Sequence, residues 1–338
     1  MIKIVNYDKA LDIFNNYIRE SVKDNDLDML FELFRKIPEA HLLSDIKKAR
    51  NMRNLFTMPA KQIKEYVDIL NNDKRYKNLL TQVRKYKQIE KKKRKYFKPD
   101  EFALEEIITF CTFQDEMKKL YDKFCDKKSG VAYKLIKALN IRACPYCNLN
   151  YIDPIIKTNV DGTSEPVLRS HLDHFYSKSK YPFFTLSFFN LIPSCYECNS
   201  GLKKDNDFVA YPYLDNIDDV AHFCVNISEI GELSHNFSDL DSFEIQLLPN
   251  KKSDLELVTN IQNEFELNLR YSYRKEEAVE ILARKAIFDN ITKNEVAKNL
   301  KLCLDEKTWN RILYGNYLNS RDIHKRPLAK LTKDLINM

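Results

Sequence analysis

The stretch HLDHFYSKSKYPFFTLSFFNLIPSCYECNSGLKK, residues 171–204, decides how the rest of the chain is read. It opens on Asp173-His174 and closes on Cys195-x-x-Cys198, followed at once by Asn199 and then by Lys203 and Lys204. Between them lies the apolar run 188–192 with one amide, Asn190, in its middle. A polar amide there is costly unless hydrogen-bonded, so Asn190 is expected to tie down the backbone of the 176–185 loop and fix the ring of His174. Upstream stands a second pair, Cys144-Pro-Tyr-Cys147.

A thiolate pair two residues apart turns the backbone so that both sulfurs face one ion, and two pairs complete a tetrahedral shell with no place left for water. Cys144, Cys147, Cys195 and Cys198 are therefore expected to hold a structural Zn²⁺ that pins the start of a small module to its end. Cys-Pro-Tyr-Cys is also the active-site string of glutaredoxins. Such a thiol pair should follow a strand and begin a helix; here it follows helical sequence and precedes strand-like sequence, which favours zinc. Cys111, Cys125, Cys224 and Cys303 stand singly in apolar surroundings and read as core residues.

Asp173, His174 and Asn199 suit phosphodiester hydrolysis. An imidazole titrates near neutral pH and can take a proton from water. Mixed carboxylate and amide oxygens suit Mg²⁺ or Mn²⁺ and leave coordination sites for phosphate. Side chains of neighbouring strand residues point opposite ways, so Asp173 and His174 at a strand end divide into a metal-facing and a water-facing group. Lys178, Lys203 and Lys204 are candidate phosphate contacts. His171 shares a strand face with Asp173 and is held in reserve as a packed or supporting residue.

In order Asp-His, Asn-Leu, and Cys-x-x-Cys-Asn with a nearby lysine, the region from about 141 to 204 resembles the HNH endonucleases, which share the ββα-metal fold. The resemblance implies His174 as general base, Asp173 and Asn199 as ligands of one divalent metal, Asn190 as a structural residue, and products with 5′-phosphate and 3′-hydroxyl ends. It departs at Cys-Asn-Ser-Gly-Leu-Lys, where many relatives place the lysine one residue earlier, which leaves Lys203 and Lys204 as alternatives. More loosely, the string His174-Phe-Tyr-Ser-Lys-Ser-Lys-Tyr-Pro182 is similar to nuclease subunits of Septu-type anti-phage systems, which implies a defence role beside a partner ATPase. The rival reading keeps the cysteines and drops the chemistry: a zinc-stabilised nucleic-acid or protein binding module.

The flanks are helical in pattern. Leu27, Leu30, Phe31 and Phe34 recur at helical spacing before Pro38, and Ile63, Tyr66, Val67 and Leu70 do so after Pro59. A helix start at Pro99-Asp100-Glu101 precedes Leu104, Ile107, Ile108 and Cys111, and another helix is expected over 131–139. Residues 151–156 and 166–168 read as strands joined at Asp161-Gly162. Weaker strand character covers 221–230 and 243–248, and helix returns from about 255, with Val279, Leu282, Ala283 and Ala286 on one face. The expected fold is α+β: a helical region 1–140, the zinc-clipped module 141–205, and a mixed then helical region 206–338.

At 338 residues with 44% hydrophobic and 31% charged residues the chain can bury a sizeable core. Five glycines and no GxGxxG or GxxxxGK[ST] remove local support for a Rossmann or P-loop site. The net charge of +6 tilts mildly toward polyanions, and DNA is the expected partner. The run RKYKQIEKKKRKYFK, 84–98, carries only Glu90 against its cations. It reads either as a solvated face or as a phosphate-tracking arm with Tyr86, Tyr96 and Phe97 as stacking surface. The aromatics at 183–184 and 188–189 read as core. With no signal region and no long apolar segment, a cytoplasmic protein without a membrane span is expected.

Overall fold

The computed structural model describes residues 2–43, 52–206, 208–226, 243–288, 295–296, 298–299 and 303–338. The chain is α+β, and among the described residues helices accompany three two-stranded antiparallel sheets. The longer helices before the first strand are α1 (Asp8–Ser21), α2 (Asp24–Lys36), α3 (Ala60–Asn72), α4 (Lys74–Gln88), α5 (Leu104–Cys125) and α6 (Val131–Leu139). The apolar spacing accounts for them. Leu27, Leu30 and Phe34 are buried along α2, as are Ile63, Tyr66, Val67 and Leu70 along α3. In α5 the inward face is rotated from the expected one: Ile107, Phe110, Cys111 and Met117 are buried, while Ile108 is exposed.

Strands β1 (Ile155–Thr158) and β2 (Ser164–Leu168) pair across a turn in which Gly162 takes φ +81°, a backbone region open to glycine at little cost. Strands β3 (His171–His174) and β4 (Leu191–Ser194) pair in the register His171 to Ser194 and His174 to Leu191. Chain direction then reverses into a wide helical turn, Glu197–Lys203, in which the Lys204 N–H reaches the Asn199 carbonyl five residues back at 2.9 Å. Such π winding is rare and concentrates at functional sites. Strands β5 (Ala221–Val225) and β6 (Ile245–Pro249) form the third pair; residues 227–230 of the expected strand lie outside the described residues.

The C-terminal helices are α7 (Leu255–Phe265), α8 (Leu267–Ser272), α9 (Lys275–Ile287), α10 (Glu306–Tyr314) and α11 (Ala329–Asn337). Along α9 the buried residues are Ala278, Val279 and Ile281, and Ala286 is exposed. One apolar core runs from Ile4 through Phe183, Phe184, Phe188 and Phe189 to Leu335, so the three expected regions pack together. Phe183 meets Phe34, Tyr76, Phe110 and Phe113 from the N-terminal helices, which seats the 176–190 loop on them. No helix among the described residues is long and apolar enough to cross a membrane. One sequence expectation fails on burial: of the four cysteines outside the two pairs, Cys303 is exposed and Cys125 and Cys224 are only half-buried, leaving Cys111 as the one of these four in the core.

Candidate metal centre and cleft

Cys144, Cys147, Cys195 and Cys198 converge. All four are buried, and their sulfurs lie within 4.8 Å of one another. Sulfurs about 2.3 Å from one tetrahedral ion stand about 3.8 Å apart; Cys147 and Cys195 are separated by 3.9 Å. The donor set and spacing therefore fit a structural metal such as zinc. The Leu149 N–H points at Cys147 Sγ and the Cys195 N–H at Cys144 Sγ, each at 3.4 Å, and Arg270 Nη1 reaches Cys198 Sγ at 3.3 Å. These donors favour thiolates.

The tetrad is also braced from behind. Asn148, in the left-handed region at φ +53°, donates to the carbonyls of Ile323 and Arg326 and accepts from the Lys330 N–H. The Tyr271 hydroxyl donates to the Cys147 carbonyl. The redox alternative loses its setting here. Cys144 has no exposure and starts no helix, and the second pair stands beside the first.

Strand β3 divides its side chains between two faces, as alternation requires. On one face stand His171 and Asp173, both meeting the Glu197–Lys203 turn. His171 Nδ1 lies 2.9 Å from Asn199 Nδ2, and Asp173 forms an ion pair with Lys203, Nζ to Oδ2 3.2 Å. The strand and the helical turn are thus joined by two rungs, His171–Asn199 and Asp173–Lys203. The Tyr146 hydroxyl, from the first cysteine turn, donates to Asp173 Oδ2 at 2.5 Å. Burial pushes the Asp173 carboxyl up, and the Lys203 charge and the Tyr146 hydrogen bond hold it back. Asp173 Oδ1 has only a long contact, 3.4 Å, to Lys203.

On the opposite face His174 packs against Tyr121 of α5, with ring centroids 4.5 Å apart. Its Nε2 lies 2.9 Å from the Thr185 carbonyl. A carbonyl can only accept, so Nε2 carries the proton and Nδ1 keeps its lone pair. Burial, with the nearby Lys178 and Lys203 charges, pulls the ring down to about 3, so it is neutral near pH 7. Asn190 is fully buried and meets the loop as expected: Oδ1 accepts from the Tyr176 N–H at 2.8 Å, and Nδ2 donates to the carbonyls of Tyr176 and Phe184. Phe184 precedes Thr185, so this clamp sets the carbonyl that orients His174.

A cleft of about 680 Å³ joins these groups, with His171, Asp173, His174, Lys178, Asn199 and Lys204 in its wall. Lys178 lies over the Tyr121 ring, 5.5 Å from its centroid. Lys203 requires a correction. It was a candidate phosphate contact, yet it has 0% exposure and its ammonium is spent on Asp173 and on the His174 carbonyl at 3.0 Å. Lys204, exposed in the cleft wall, is the lysine of that pair able to meet a ligand.

Sequence reasoning left His171 in reserve and missed Tyr146, Tyr121 and Arg270. His171 carried a signal, its spacing of two from Asp173. The others come from distant segments and carried none. No family model, curated protein or solved structure matches this chain.

Proposed function

We propose that the chain is a metal-dependent endonuclease of HNH type that hydrolyses DNA phosphodiester bonds in this cleft. The observation that carries the proposal is the meeting, in one cavity, of a neutral imidazole whose Nδ1 has no hydrogen bond among the described residues, an oxygen donor set at Asp173 and Asn199, and the cations Lys178 and Lys204. His174 Nδ1 accepts the proton of the attacking water, and the Nε2–H bond to Thr185 stabilises the imidazolium that results. Lys178 and Lys204 hold phosphate oxygens and offset charge developing on them. Asn190 acts through the loop it clamps.

Asp173 Oδ1 and Asn199 Oδ1 would hold the divalent ion, since Asn199 Oδ1 accepts no hydrogen bond among the described residues and Asp173 Oδ1 has only its long lysine contact. When bound, Mg²⁺ or Mn²⁺ supplies positive charge to the phosphate and leaving oxygen. Zn²⁺ in the cysteine tetrad is the matching structural ion, closed to substrate.

A second reading has an observation in its favour. Asp173 is already neutralised by Lys203 and bonded by Tyr146, as in a site that supports a fold and turns nothing over. Supercoiled plasmid incubated with Mg²⁺, Mn²⁺ or chelator separates the two. Metal-dependent nicking that chelator stops supports the nuclease; DNA binding without cutting in either metal leaves a zinc-stabilised binding module.

A further inference from the structure

Beyond the cleft, and resting on the nuclease reading, we infer that the basic segment 84–98 is the second half of one nucleic-acid track. Its job is to grip the phosphate backbone of the DNA whose scissile bond lies in the cleft. The cleft does not end at Lys178. Across Asp205, which lines both, it meets a second groove of about 540 Å³ walled by Arg84, Lys87, Gln88, Ser179 and Lys180. The ridge between them is the 177–181 turn. That ridge is bolted on both sides.

On the cleft side Ser177 Oγ donates to Asp205 at 2.8 Å. On the basic side Lys87 Nζ donates to Gln114 Oε1 at 2.7 Å, and Gln114 Nε2 donates to the Ser179 carbonyl at 2.8 Å. The Tyr76 hydroxyl of α4 bonds the Lys180 carbonyl. The helix that starts the basic run is thereby fixed to the loop that carries Lys178 and orients His174.

The run beyond α4 has a defined shape. Arg94 folds inward, donating to the carbonyls of Ile89 and Lys87 and lying over the Tyr86 ring, and Tyr86 packs on Phe97. The aromatic expectation divides accordingly: Tyr86 and Phe97 are partly buried supports, and Tyr96 is 72% exposed. Lys93 pairs with Glu90 at 3.0 Å and Lys85 meets Asp100 at 3.9 Å. Lys91, Lys92, Lys95 and Lys98 are exposed and form no ion pair among the described residues. An ordinary solvated face intersperses both signs. Here like charges follow one another along the chain that leads out of the groove wall at Arg84 and Lys87, and a phosphate backbone offers the regular row of anions that such a run can meet.

The test uses the full chain in a His174→Ala background, so that DNA stays intact. Affinity for a duplex spanning both grooves is measured against salt, with and without Lys91→Gln, Lys92→Gln, Lys95→Gln and Lys98→Gln together. Four lysines on phosphates predict that the slope of log affinity against log salt becomes shallower by about 3–4. An unchanged slope in a variant with unchanged zinc content and unfolding midpoint overturns the inference, as does absence of DNA binding before substitution. The nuclease reading is judged apart, by plasmid cutting. A lysine-dependent slope without any cutting supports the track and sinks the hydrolase; cutting with an unaltered slope does the reverse.

Discussion

Replacing Lys203 by methionine tests the inner half of the site. Lys203 has no exposure, and its ammonium lies 3.2 Å from Asp173, 3% exposed, and 3.0 Å from the His174 carbonyl. Methionine keeps most of the volume and removes the charge. Asp173 is then a buried carboxylate with only the Tyr146 hydroxyl beside it. Breaking a buried pair from one side costs about 3–5 kcal/mol because the remaining charge is uncompensated. Against a typical stability of about 5–15 kcal/mol, that is a large fraction of the whole.

The cost also has a pH signature. Burial already raises the Asp173 carboxyl, with Lys203 restraining it, so removing the lysine raises it further. Between the unfolded value near 3.9 and the raised native value, the native state holds a proton that the unfolded state has lost, and stability falls as pH rises. Wild type shares this fall up to its own raised native value, so the deficit of Lys203→Met should widen from that value upward, where only the variant still holds the proton. Urea unfolding of wild type, Lys203→Met, Asp173→Asn and the double variant between pH 5 and 8 measures it. The double variant should recover much of the loss, since it buries no lone charge. A Lys203→Met deficit under about 1 kcal/mol, or one that ignores pH, would refute the buried-pair account.

Other substitutions probe the remaining supports. Asn190→Ala removes its three hydrogen bonds to the Tyr176 N–H and to the carbonyls of Tyr176 and Phe184, and should lower stability by about 2–4 kcal/mol on denaturant titration. His174 has the opposite pH sign to Asp173. Its ring titrates near 3 when folded and near 6.5 when unfolded, so its contribution is complete above about pH 6.5 and lost as pH falls toward 3. His174→Gln should flatten the stability–pH curve in that window, as read from unfolding midpoints. Metal analysis of wild type should find one equivalent of zinc, and Cys195→Ser should lose it and show no cooperative unfolding transition; retained zinc and a sharp transition would contradict the tetrad.

The elements best read from sequence were those in which a residue's neighbours in the chain fix its surroundings. Alternation along 171–174 gave the two faces of β3, and the two cysteine pairs gave the tetrad, because a two-residue spacing constrains geometry locally. Asn190 was legible for the same reason: an amide in an apolar run must find partners, and nearby backbone supplied them. The partner of Asp173 was not legible. Which of Lys203 and Lys204 faces the strand depends on the wide winding of the 197–203 turn, and spacing arguments assume ordinary helical register. Tyr146, Tyr121 and Arg270 reach the site across long sequence separations that only packing determines. The rotated inward face of α5 has a similar origin, since Phe110 finds Phe183 and Tyr76 and draws Ile108 outward.

The central claim is that His174 takes a proton from water at a scissile phosphate. The most direct measurement is the single-turnover rate of duplex cleavage in Mg²⁺, with wild type and His174→Ala at equal zinc content and saturating protein. The account predicts cleavage by wild type and a loss of about 10²–10⁴-fold in the variant. Equal rates for the two proteins, or no cleavage by wild type in any divalent metal, would contradict it.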